Sequence, residues 1–444
     1  MLESLQSWLH ERNITEVECL IPDMTGNARG KIIPADKFAA EEGMRLPESL
    51  FIQTVTGEWP DDASMVDPTE QDMILRPDPQ TVRLVPWADE PTAQVIHDCY
   101  DQQGNPIDIS PRAVLRKILA LYEAREWRPV VAPELEFFLV KQNVDPDYPL
   151  EPPVGRSGRQ ESARQSFSID AINEFDPVLN DIYDYCELQA IEVDTLVHES
   201  GAAQMEINFA HGDALSLSDQ VFLFKRTVRE AALRHGIYAT FMAKPMAGEP
   251  GSSMHIHHSI VDVQGRNLFS TDENEYTPAF LSFIAGLQAY LPSAMSLFAP
   301  NVNSYRRIAK HESAPINTHW GYDNRTVGLR VPMCTPTSMR LENRVAGADA
   351  NPYLAIAASL ACGYLGIIEN LEPSDAVQDS GYDLPYGLPR SLEEALRHLS
   401  ECEPLQALLG ERFVRAYAAV KEKEYETFLR VISSWEREFL LLNV

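Results

Sequence analysis

The sequence is short of cysteines, basic residues and long apolar runs, and each shortage excludes a class of protein. Six cysteines occur in 444 residues, and because none forms a Cys-x-x-Cys pair, neither a zinc ribbon nor a dithiol redox site is expected. Their wide spacing is typical of reduced thiols in a cytoplasmic protein. The N-terminus lacks the basic flank and apolar core of a signal peptide. The longest near-apolar stretch, Leu354 to Ile368, is shorter than the ~20 residues that span a bilayer, so we predict a buried helix.

Basic residues are outnumbered by acidic ones. The chain has 37 lysines and arginines against 66 aspartates and glutamates, a formal net charge of −29. Such a surface repels phosphate backbones and anionic lipids, so we expect neither nucleic acid nor a membrane as a partner. A cationic small molecule would be attracted, although solubility is the simpler explanation of the charge. The apolar fraction of 44% is that of a globular protein and excludes disorder, collagen and coiled coil.

The length predicts more than one domain. Residues 1–107 contain short β-like runs among prolines, aspartates and glycines, which indicates a small, mainly β domain. Residues 108–444 form the predicted second domain, in which helices and strands are mixed. Within it, residues 141–165 are polar and irregular, so we predict a mobile loop.

Several helix boundaries can be predicted from capping residues. Ser110 before Pro111 is typical of a helix start. A second helix is predicted from an N-cap at Ser218 to a stop at Gly236, and a capping box is predicted from Ser391 to Glu394. The C-terminal part is predicted to be helical, with one apolar face formed by Leu429, Ile432, Trp435, Phe439 and Leu442.

Glu134 and Glu136 lie two residues apart in a run that predicts a strand from Val130 to Val140. Residues two apart on a strand point to the same side, so the two carboxylates share a face. At about 4 Å, two carboxylates repel by about 4 kcal/mol at an effective dielectric of about 20. Either the pair is solvated at a sheet edge, or a cation lies between the two groups.

A second set of polar residues alternates along the predicted strand Gln204 to Phe209. Gln204, Glu206 and Asn208 share one face, and Glu199 reaches the same region through a turn that contains a glycine. These residues are candidates for a site, and an ordinary half-exposed strand is the alternative.

Two histidines two residues apart form a third candidate. His255 and His257 share a face of a predicted strand, while their apolar neighbours point away. This spacing is a recurrent metal-binding arrangement. The alternative is a pair of buried histidines that are satisfied by hydrogen bonds.

Charged residues also alternate with apolar ones further along the chain. Glu342 and Arg344 are two apart, which indicates a charged face turned into a cavity. Surface salt bridges are one explanation of the nearby arginines, and anion binding fits their weakly charged surroundings better. These arginines are Arg306, Arg307, Arg325, Arg330 and Arg340.

These segments together predict a metal-dependent reaction on phosphate. Glutamate oxygens with one histidine suit Mg²⁺ or Mn²⁺. Arginines beside divalent ions are typical of phosphoryl transfer. The nearest approach to a Walker A loop, Gly26 to Ile32, has the wrong glycine spacing, and no Rossmann fingerprint occurs. A nucleotide would therefore bind by another route.

Six motifs follow one another along the chain: PELEFF, HESGAAQMEINF, GSSMHIHHS, NSYRR, NRTVGLRVP and RLENR with NPYLA after it. In this order they resemble the active-site strands of the glutamine synthetase family, over residues 16–370. The resemblance implies an α+β fold with a small β-grasp domain, residues 1–107, and a larger catalytic domain, residues 108–444. It also implies a homo-oligomeric ring, a dodecamer, in which a neighbour's N-terminal domain completes each active site.

The resemblance also implies roles for individual residues, with ATP as co-substrate and two or more Mg²⁺ or Mn²⁺ ions in each site. One metal, near the substrate L-glutamate, would be held by Glu136, Glu199 and Glu206. The other, which accompanies ATP, would be held by Glu134, His255 and Glu342. Glutamate would be bound by Gly251, Arg307 and Arg344. The nucleotide and its phosphates would be bound by Arg325, Arg330, Arg340, His257 and Ser259.

One loop departs from the pattern of glutamine synthetases proper. They usually carry a glutamate before an Ala-Pro pair, where it captures ammonium; here Ser313 stands at that place and Glu312 precedes it. The N-terminal segment Leu46 to Ile52 also lacks the family's ammonium-binding aspartate. This pattern resembles the γ-glutamylpolyamine branch. We predict Arg307, Arg325, Glu312 and Ser313 as catalytic, with Glu312 anchoring the amine's distal charge.

The leading hypothesis is an ATP-dependent ligase that joins the γ-carboxylate of L-glutamate to a small primary amine, putrescine or another polyamine, in polyamine catabolism. The reaction would pass through a γ-glutamyl phosphate. A glutamine synthetase that uses ammonium is the nearest alternative. An ATP-independent metal hydrolase would leave the arginines unexplained, and a non-catalytic scaffold would be expected to have lost its metal ligands. Trp320 or Tyr322 could offer an aromatic face to an ammonium group, with packing as the alternative.

Overall fold

The protein's structure, a computed structural model, describes residues 2–40, 44–162, 164–310 and 313–444. Within these ranges the chain forms two β-sheets and a set of α-helices. Helices and strands are largely segregated along the chain, because strands dominate its first hundred residues and helices its last hundred. This arrangement confirms the predicted α+β class.

The first sheet is built from the N-terminal part of the chain. Its described strands are β1 Glu16–Pro22, β2 Ala28–Pro34, β3 Met44–Pro47, β4 Asp72–Pro77, β5 Arg83–Leu84 and β6 Thr92–Tyr100. Their order is β2-β1-β6-β4-β3, with β5 paired to β6, and β1 runs parallel to β6. Two helices, α1 Leu2–Glu11 and α2 Ala35–Ala40, accompany the sheet. The mainly β content agrees with the sequence, and the boundary after residue 107 stays a prediction.

The second sheet carries the candidate site. Its described strands are β7 Trp127–Lys141, β8 Val193–His198, β9 Gln204–Phe209, β10 Gly212–Asp213, β11 Ile237–Thr240, β12 Met254–Asp262, β13 Trp320–Tyr322, β14 Leu329–Val331 and β15 Leu341–Asn343. The order is β13-β14-β15-β12-β7-β9-β8, and β10 and β11 also pair with β7. The long strand β7 therefore pairs with four other strands of the sheet: β9, β10, β11 and β12.

Helices pack against this sheet and against one another. They are α3 Pro111–Glu123, α4 Ile169–Asn173, α5 Asp176–Leu188, α6 Ala214–Arg234, α7 Pro278–Phe298, α8 Pro352–Glu369, α9 Leu392–Glu401, α10 Glu403–Leu409, α11 Glu411–Leu429 and α12 Ser434–Phe439. The contact between sheet and helices is direct: His258 of β12 lies 2.8 Å from the hydroxyl of Ser359 in α8. Because side chains alternate along a strand, His255 and His257 point to the opposite face.

Two of the helices are long and apolar enough, by composition, to cross a membrane. In α7, 61% of the apolar 18-residue stretch is buried inside the structure, and in α8 the buried share is 83%. The two helices pack on each other closely, because a side chain at Gly286 would collide with the carbonyl oxygen of Cys362. The predicted buried helix from Leu354 to Ile368 is confirmed as part of α8.

The predicted start of one helix is wrong. Helix α6 begins at Ala214, where Asp213 is the N-cap and accepts a hydrogen bond from the amide of Ser216 at 2.9 Å. The proposed cap, Ser218, lies inside the helix and donates to the carbonyl of Ala214. Aspartate caps a helix as well as serine does, and a serine inside a helix satisfies its hydroxyl in this way.

The predicted starts of two other helices agree better with the structure. Helix α3 begins at Pro111 after the N-cap Ser110. Ser391 caps α9, but Glu394 accepts from the amide of Arg390 instead of the cap's own amide, so only half of the capping box forms. The apolar residues predicted to line the C-terminal helices are exposed in this chain: Leu429, Ile432, Trp435, Phe439 and Leu442.

A buried arginine links the first sheet to the helices. Arg112 in α3 is 1% exposed and forms ion pairs with Asp78 at 2.7 Å, Asp98 at 2.5 Å and Asp219 at 2.9 Å. Burial alone would lower its pKa, and the charges of Asp219 and Asp98 raise it instead. Asp219 belongs to α6, so three parts of the chain share one cation.

The substitution Arg112→Met is expected to lower the free energy of unfolding by about 3–5 kcal/mol, because it leaves a buried carboxylate without its partner. Arg116→Met is the matched control: Arg116 bonds the same Asp78 and Asp98 but its side chain is 44% exposed, so about 0–1 kcal/mol is expected. Urea unfolding measures both variants. Equal losses would contradict the role given to burial.

Candidate active site

The register of the second sheet brings the predicted site residues together. Glu134 on β7 stands opposite His255 on β12, and Glu136 stands opposite Glu206 on β9. On the other side of β12, His257 stands opposite Glu342 of β15. Directly opposed side chains on one face of a sheet have Cβ atoms about 5 Å apart. Four neighbouring strands therefore place acidic and imidazole groups on one patch of sheet.

Glu134, His255 and Glu342 form the first cluster, with potential ligand atoms that all lie within 4.8 Å of one another. His255 Nδ1 lies 3.4 Å from Glu134 and 3.6 Å from Glu342. Although burial raises the pKa of Glu134, bonds from His255 and His257 hold it well below its usual range. These three residues are the set that the family resemblance grouped around the nucleotide's metal.

Glu136, Glu206 and His255 form the second cluster, again with ligand atoms within 4.8 Å. The sequence grouped Glu199, not His255, with the two glutamates. In the part of the chain that the structure describes, Glu199 belongs to neither cluster. It is close enough that its charge raises the pKa of Glu136 and Glu206. The physical reason is that Glu199 lies in the turn after β8, outside the strand pairing that sets Glu136 opposite Glu206, although its amide still donates to the carbonyl of Gln204 at 2.8 Å.

The donor set fits a divalent cation. Burial and the charge of Glu199 raise the pKa of Glu136 to about 7. Burial and the charges of Glu136 and Glu134 raise the pKa of Glu206 to about 9. Burial is the larger cause of both shifts, and the repulsion between neighbouring carboxylates adds to it. Carboxylate oxygens with one imidazole are suitable ligands for Mg²⁺ or Mn²⁺.

Two residues that sequence reasoning missed support these glutamates. Ser253 donates to Glu136 from its amide at 2.8 Å and from its hydroxyl at 2.5 Å. Its only signal was its position two residues before His255. Glu161, from the segment predicted to be a mobile loop, bonds His198 beside Glu199. A polar residue in an irregular segment gives no pattern from which this contact could be predicted.

The residues proposed for glutamate binding lie together beside the clusters. Arg307 is buried and donates to the carbonyls of Val345 at 2.8 Å and Arg344 at 3.0 Å. Gly251 allows this approach, because a side chain there would lie 2.5 Å from Cγ of Arg307. Arg344 donates to Glu342 at 2.5 Å. Among the described residues, its buried Nε has no hydrogen-bond partner.

The residues proposed for the nucleotide extend along the same face. Arg330 on β14 donates to Glu342 at 2.8 Å, and Arg340 Nε lies 3.3 Å from His257. Ser259 follows on the same face of β12 and is partly exposed. Arg325 is exposed, and its charge opposes the rise that burial causes in the pKa of Glu199.

The loop that departs from the family pattern is described only in part. Ser313 is exposed and has a left-handed backbone with φ of +64°. The predicted catalytic residue Glu312 lies outside the described residues. Trp320 packs rather than offering a free face, because it is buried and its ring nitrogen donates to Ser374 at 2.7 Å. Tyr322 is exposed.

The metal-free protein is expected to lose stability as pH rises from 6 to 9. The folded state keeps protons on Glu206 and Glu136 up to about pH 9 and 7, whereas unfolded glutamate releases them near pH ~4.3. The folded state therefore binds more protons over this range, and its stability falls as pH rises. Mn²⁺ should restore more stability at pH 8.5 than at pH 6, because its ligands must be deprotonated.

Thermal unfolding in EDTA, with and without Mn²⁺, measures this effect. Glu206→Gln should flatten the pH dependence, whereas Glu151→Gln, at an exposed salt bridge, should leave it unchanged. Identical pH profiles for the wild type and Glu206→Gln would contradict the assignment of a buried, repelling cluster.

Comparison with known proteins agrees with this geometry. A family model described as the catalytic domain of glutamine synthetase matches residues 108–440, beyond the last motif found in the sequence. The chain is 38% identical to gamma-glutamylputrescine synthetase PuuA of Escherichia coli (strain K12), over 97% of this chain and 92% of the relative. It is 33% identical to a glutamate–isopropylamine ligase of Pseudomonas sp, over 97% and 96%.

The fold is shared with a solved structure described as a complex of GmaS with ADP. The two superpose with a TM-score of 0.84 at 28% identity, over 98% of this chain and 99% of the other. The glutamine-synthetase-like α+β fold is thereby confirmed. The chain belongs to the glutamine synthetase family, and it is an enzyme of the ligase type.

Proposed function

We propose that this protein is an ATP-dependent ligase that joins the γ-carboxylate of L-glutamate to a primary amine, putrescine or another polyamine, in polyamine catabolism. One observation carries the proposal: two clusters of acidic and imidazole ligands share His255 and lie beside buried arginines. The printed names of two relatives, a gamma-glutamylputrescine synthetase and a glutamate–isopropylamine ligase, support an amine as acceptor. The ADP in the similar solved structure supports ATP as co-substrate.

The proposed reaction has two substitution steps. A γ-carboxylate oxygen of glutamate attacks the γ-phosphorus of ATP, the bond to the bridging oxygen breaks, and ADP leaves. The amine nitrogen then attacks the acyl carbon of γ-glutamyl phosphate, the C–O bond breaks, phosphate leaves and the nitrogen loses its extra proton. When bound, the divalent ions supply electrostatic stabilisation of the phosphoryl group.

In the proposal, each of the two metal sites serves one of the two substrates, ATP or glutamate. Glu134, His255 and Glu342 would hold the ion that accompanies ATP. Glu136, Glu206 and Glu199 would hold the ion beside glutamate, with Glu199 completing the set once a cation offsets the repulsion of the three carboxylates.

The arginines have complementary roles in the proposal. Arg344 has a buried N–H without a partner among the described residues, and a substrate carboxylate would satisfy it with a charge-assisted hydrogen bond. Arg307 is oriented by its two bonds to backbone carbonyls. Arg325, Arg330 and Arg340 would surround the phosphates and neutralise charge that develops during transfer.

Ser313 supports an alkyl amine over ammonium. A bare ammonium ion gains from a carboxylate nearby, and a small hydroxyl supplies no charge and leaves room for a carbon chain. Glu312 would anchor the distal ammonium group of a diamine.

The alternative function is that of a glutamine synthetase. Relatives with that printed name support it, and the one from Halobacterium salinarum is 31% identical to this chain. A hydrolase that does not use ATP would leave the buried Arg307 and Arg344 without a function.

The remaining features of the proposal follow the resemblance. The enzyme would form a homo-oligomeric ring, a dodecamer, in the cytoplasm, and each site would hold two or more Mg²⁺ or Mn²⁺ ions. Sedimentation of the purified protein measures the ring size.

An acceptor panel tests the proposed function. With glutamate and Mg·ATP present, ADP release should be fast with putrescine, slower with isopropylamine and slowest with ammonium at equal millimolar concentration. Ammonium that is used as well as putrescine would contradict the proposal and favour glutamine synthetase. Product release without ATP would favour the hydrolase.

The substitution Ser313→Glu is expected to raise kcat/KM for ammonium by about tenfold, the effect of about 1.4 kcal/mol of added charge attraction. The left-handed backbone at this position already carries a side chain, so glutamate adds little strain. Ser313→Ala is the control and should leave the use of ammonium unchanged. No gain for Ser313→Glu would show that this position does not contact the acceptor.

A further inference from the structure

Residues 161–162 and 164–168 pass across the turn that joins β8 to β9, the turn that contains Glu199. Two hydrogen bonds fasten the later part of this segment to the turn: the amide of Phe167 donates to the carbonyl of His198 at 2.8 Å, and the hydroxyls of Ser166 and Ser200 are 2.9 Å apart. The start of the segment, up to residue 165, belongs to the stretch that the sequence predicts to be mobile, and the contacts of Ser166 and Phe167 lie just beyond it.

Glu161 makes the most buried contact of the segment. Its side chain is 8% exposed, and Oε2 accepts hydrogen bonds from the amide of Ala203 at 2.8 Å and from His198 Nε2 at 3.1 Å. Ala203 has a left-handed backbone with φ of +57°, a conformation that alanine adopts only when its surroundings impose it. The carboxylate therefore holds the strained end of the turn.

His198 transmits this contact to Glu199. Its side chain is fully buried, and its Nδ1 lies 2.7 Å from the carbonyl oxygen of Glu199. Because a carbonyl and a carboxylate both accept, each ring nitrogen donates. A continuous line of hydrogen bonds runs from Glu161 through the imidazole to the peptide of Glu199, and none of its members reaches the clustered ligand atoms itself.

Glu199 needs such support more than the other proposed ligands do. Glu134, Glu136, Glu206, His255 and Glu342 are in strands whose ladders fix their positions. Glu199 lies just after β8, where burial raises its pKa and the charges of Arg325 and His198 oppose that rise. Its amide donates to the carbonyl of Gln204 in β9 at 2.8 Å, and its carbonyl oxygen depends on the His198 ring, which Glu161 bonds in turn.

We propose that Glu161 is a positioning residue of this enzyme: through His198 and Ala203 it holds the turn so that Glu199 can complete the site of the divalent ion. The inference rests on the proposed function at one point, the assignment of Glu199 as a metal ligand. Partners of metal ligands typically contribute 10–100-fold to metal affinity. Glu161 acts through backbone atoms, so the low end of that range, about tenfold, is expected.

Calorimetric titration of the purified full-length protein with Mn²⁺ alone, after EDTA treatment, tests the proposal. Glu161→Gln keeps the length of the side chain and an acceptor for Ala203, but it presents no charge to His198. It should weaken Mn²⁺ binding at the affected site about tenfold, and saturating Mn²⁺ should restore kcat. Glu151→Gln, an exposed glutamate of the same stretch, should bind Mn²⁺ like the wild type.

Glu199→Gln separates the failure of this inference from the failure of the proposed function. Weaker Mn²⁺ binding by Glu199→Gln with unchanged binding by Glu161→Gln would overturn the positioning role alone. Unchanged binding by Glu199→Gln would overturn the ligand assignment and this inference with it. Recovery of kcat at saturating Mn²⁺ would support positioning, whereas a kcat that stays low would indicate general damage and overturn it. Should Glu161→Gln fail to fold, His198→Gln gives the same test, because it removes the imidazole and keeps the carboxylate.

Discussion

Carboxylates that face one another across the central strands of the large sheet repel, and the organisation of the site depends on how that repulsion is offset. In the first cluster the compensation is built in: Glu134 accepts from two histidines, and Glu342 accepts from Arg330 and Arg344. In the second cluster it is incomplete: Ser253 donates to Glu136, but Glu136 and Glu206 face each other and Glu199 lies nearby. The elevated pKa values of Glu136 and Glu206 record this imbalance. A divalent cation is the partner that we propose for this half of the site.

The fold tolerates this unfavourable arrangement because its structural charges are paired elsewhere. Arg112 is neutralised by three aspartates where the first sheet meets α3 and α6. On the helix side of β12, His258 is bonded to Ser359. The helix side of β12 therefore carries a histidine bonded to α8 through one ring nitrogen, and the opposite face carries the clustered carboxylates. A protein with marginal stability keeps such a contrast where it binds a charged ligand.

Local patterns in the sequence predicted which residues share a face of each strand. Contacts between distant segments determine which residues stand opposite one another. The period of two placed Glu134 with Glu136 and His255 with His257, because this alternation is a property of any strand. It could not show that Glu134 stands opposite His255, since register depends on pairing between distant segments. The resemblance supplied that grouping. The start of α6 was misplaced because Asp213 and Ser218 are both suitable caps, and only packing selects between them.

Residues that support the ligands were hardest to predict. Ser253 continues the alternation of His255 and His257 but precedes the strand, and Glu161 lies in an irregular segment, so neither stands out from ordinary polar residues. Glu199 was found from the motif but grouped by resemblance, and its place in a turn explains why its carboxylate stands apart from the two clusters.

Binding of ATP measured by calorimetry with and without a divalent ion tests the central claim most directly. If the acidic clusters act by holding Mg²⁺ or Mn²⁺ against the nucleotide, ATP should bind to the folded protein when either ion is present, and EDTA should abolish the binding. Folded protein that binds ATP equally well in EDTA, or that binds none in the presence of Mg²⁺ and Mn²⁺, would contradict the metal-dependent site.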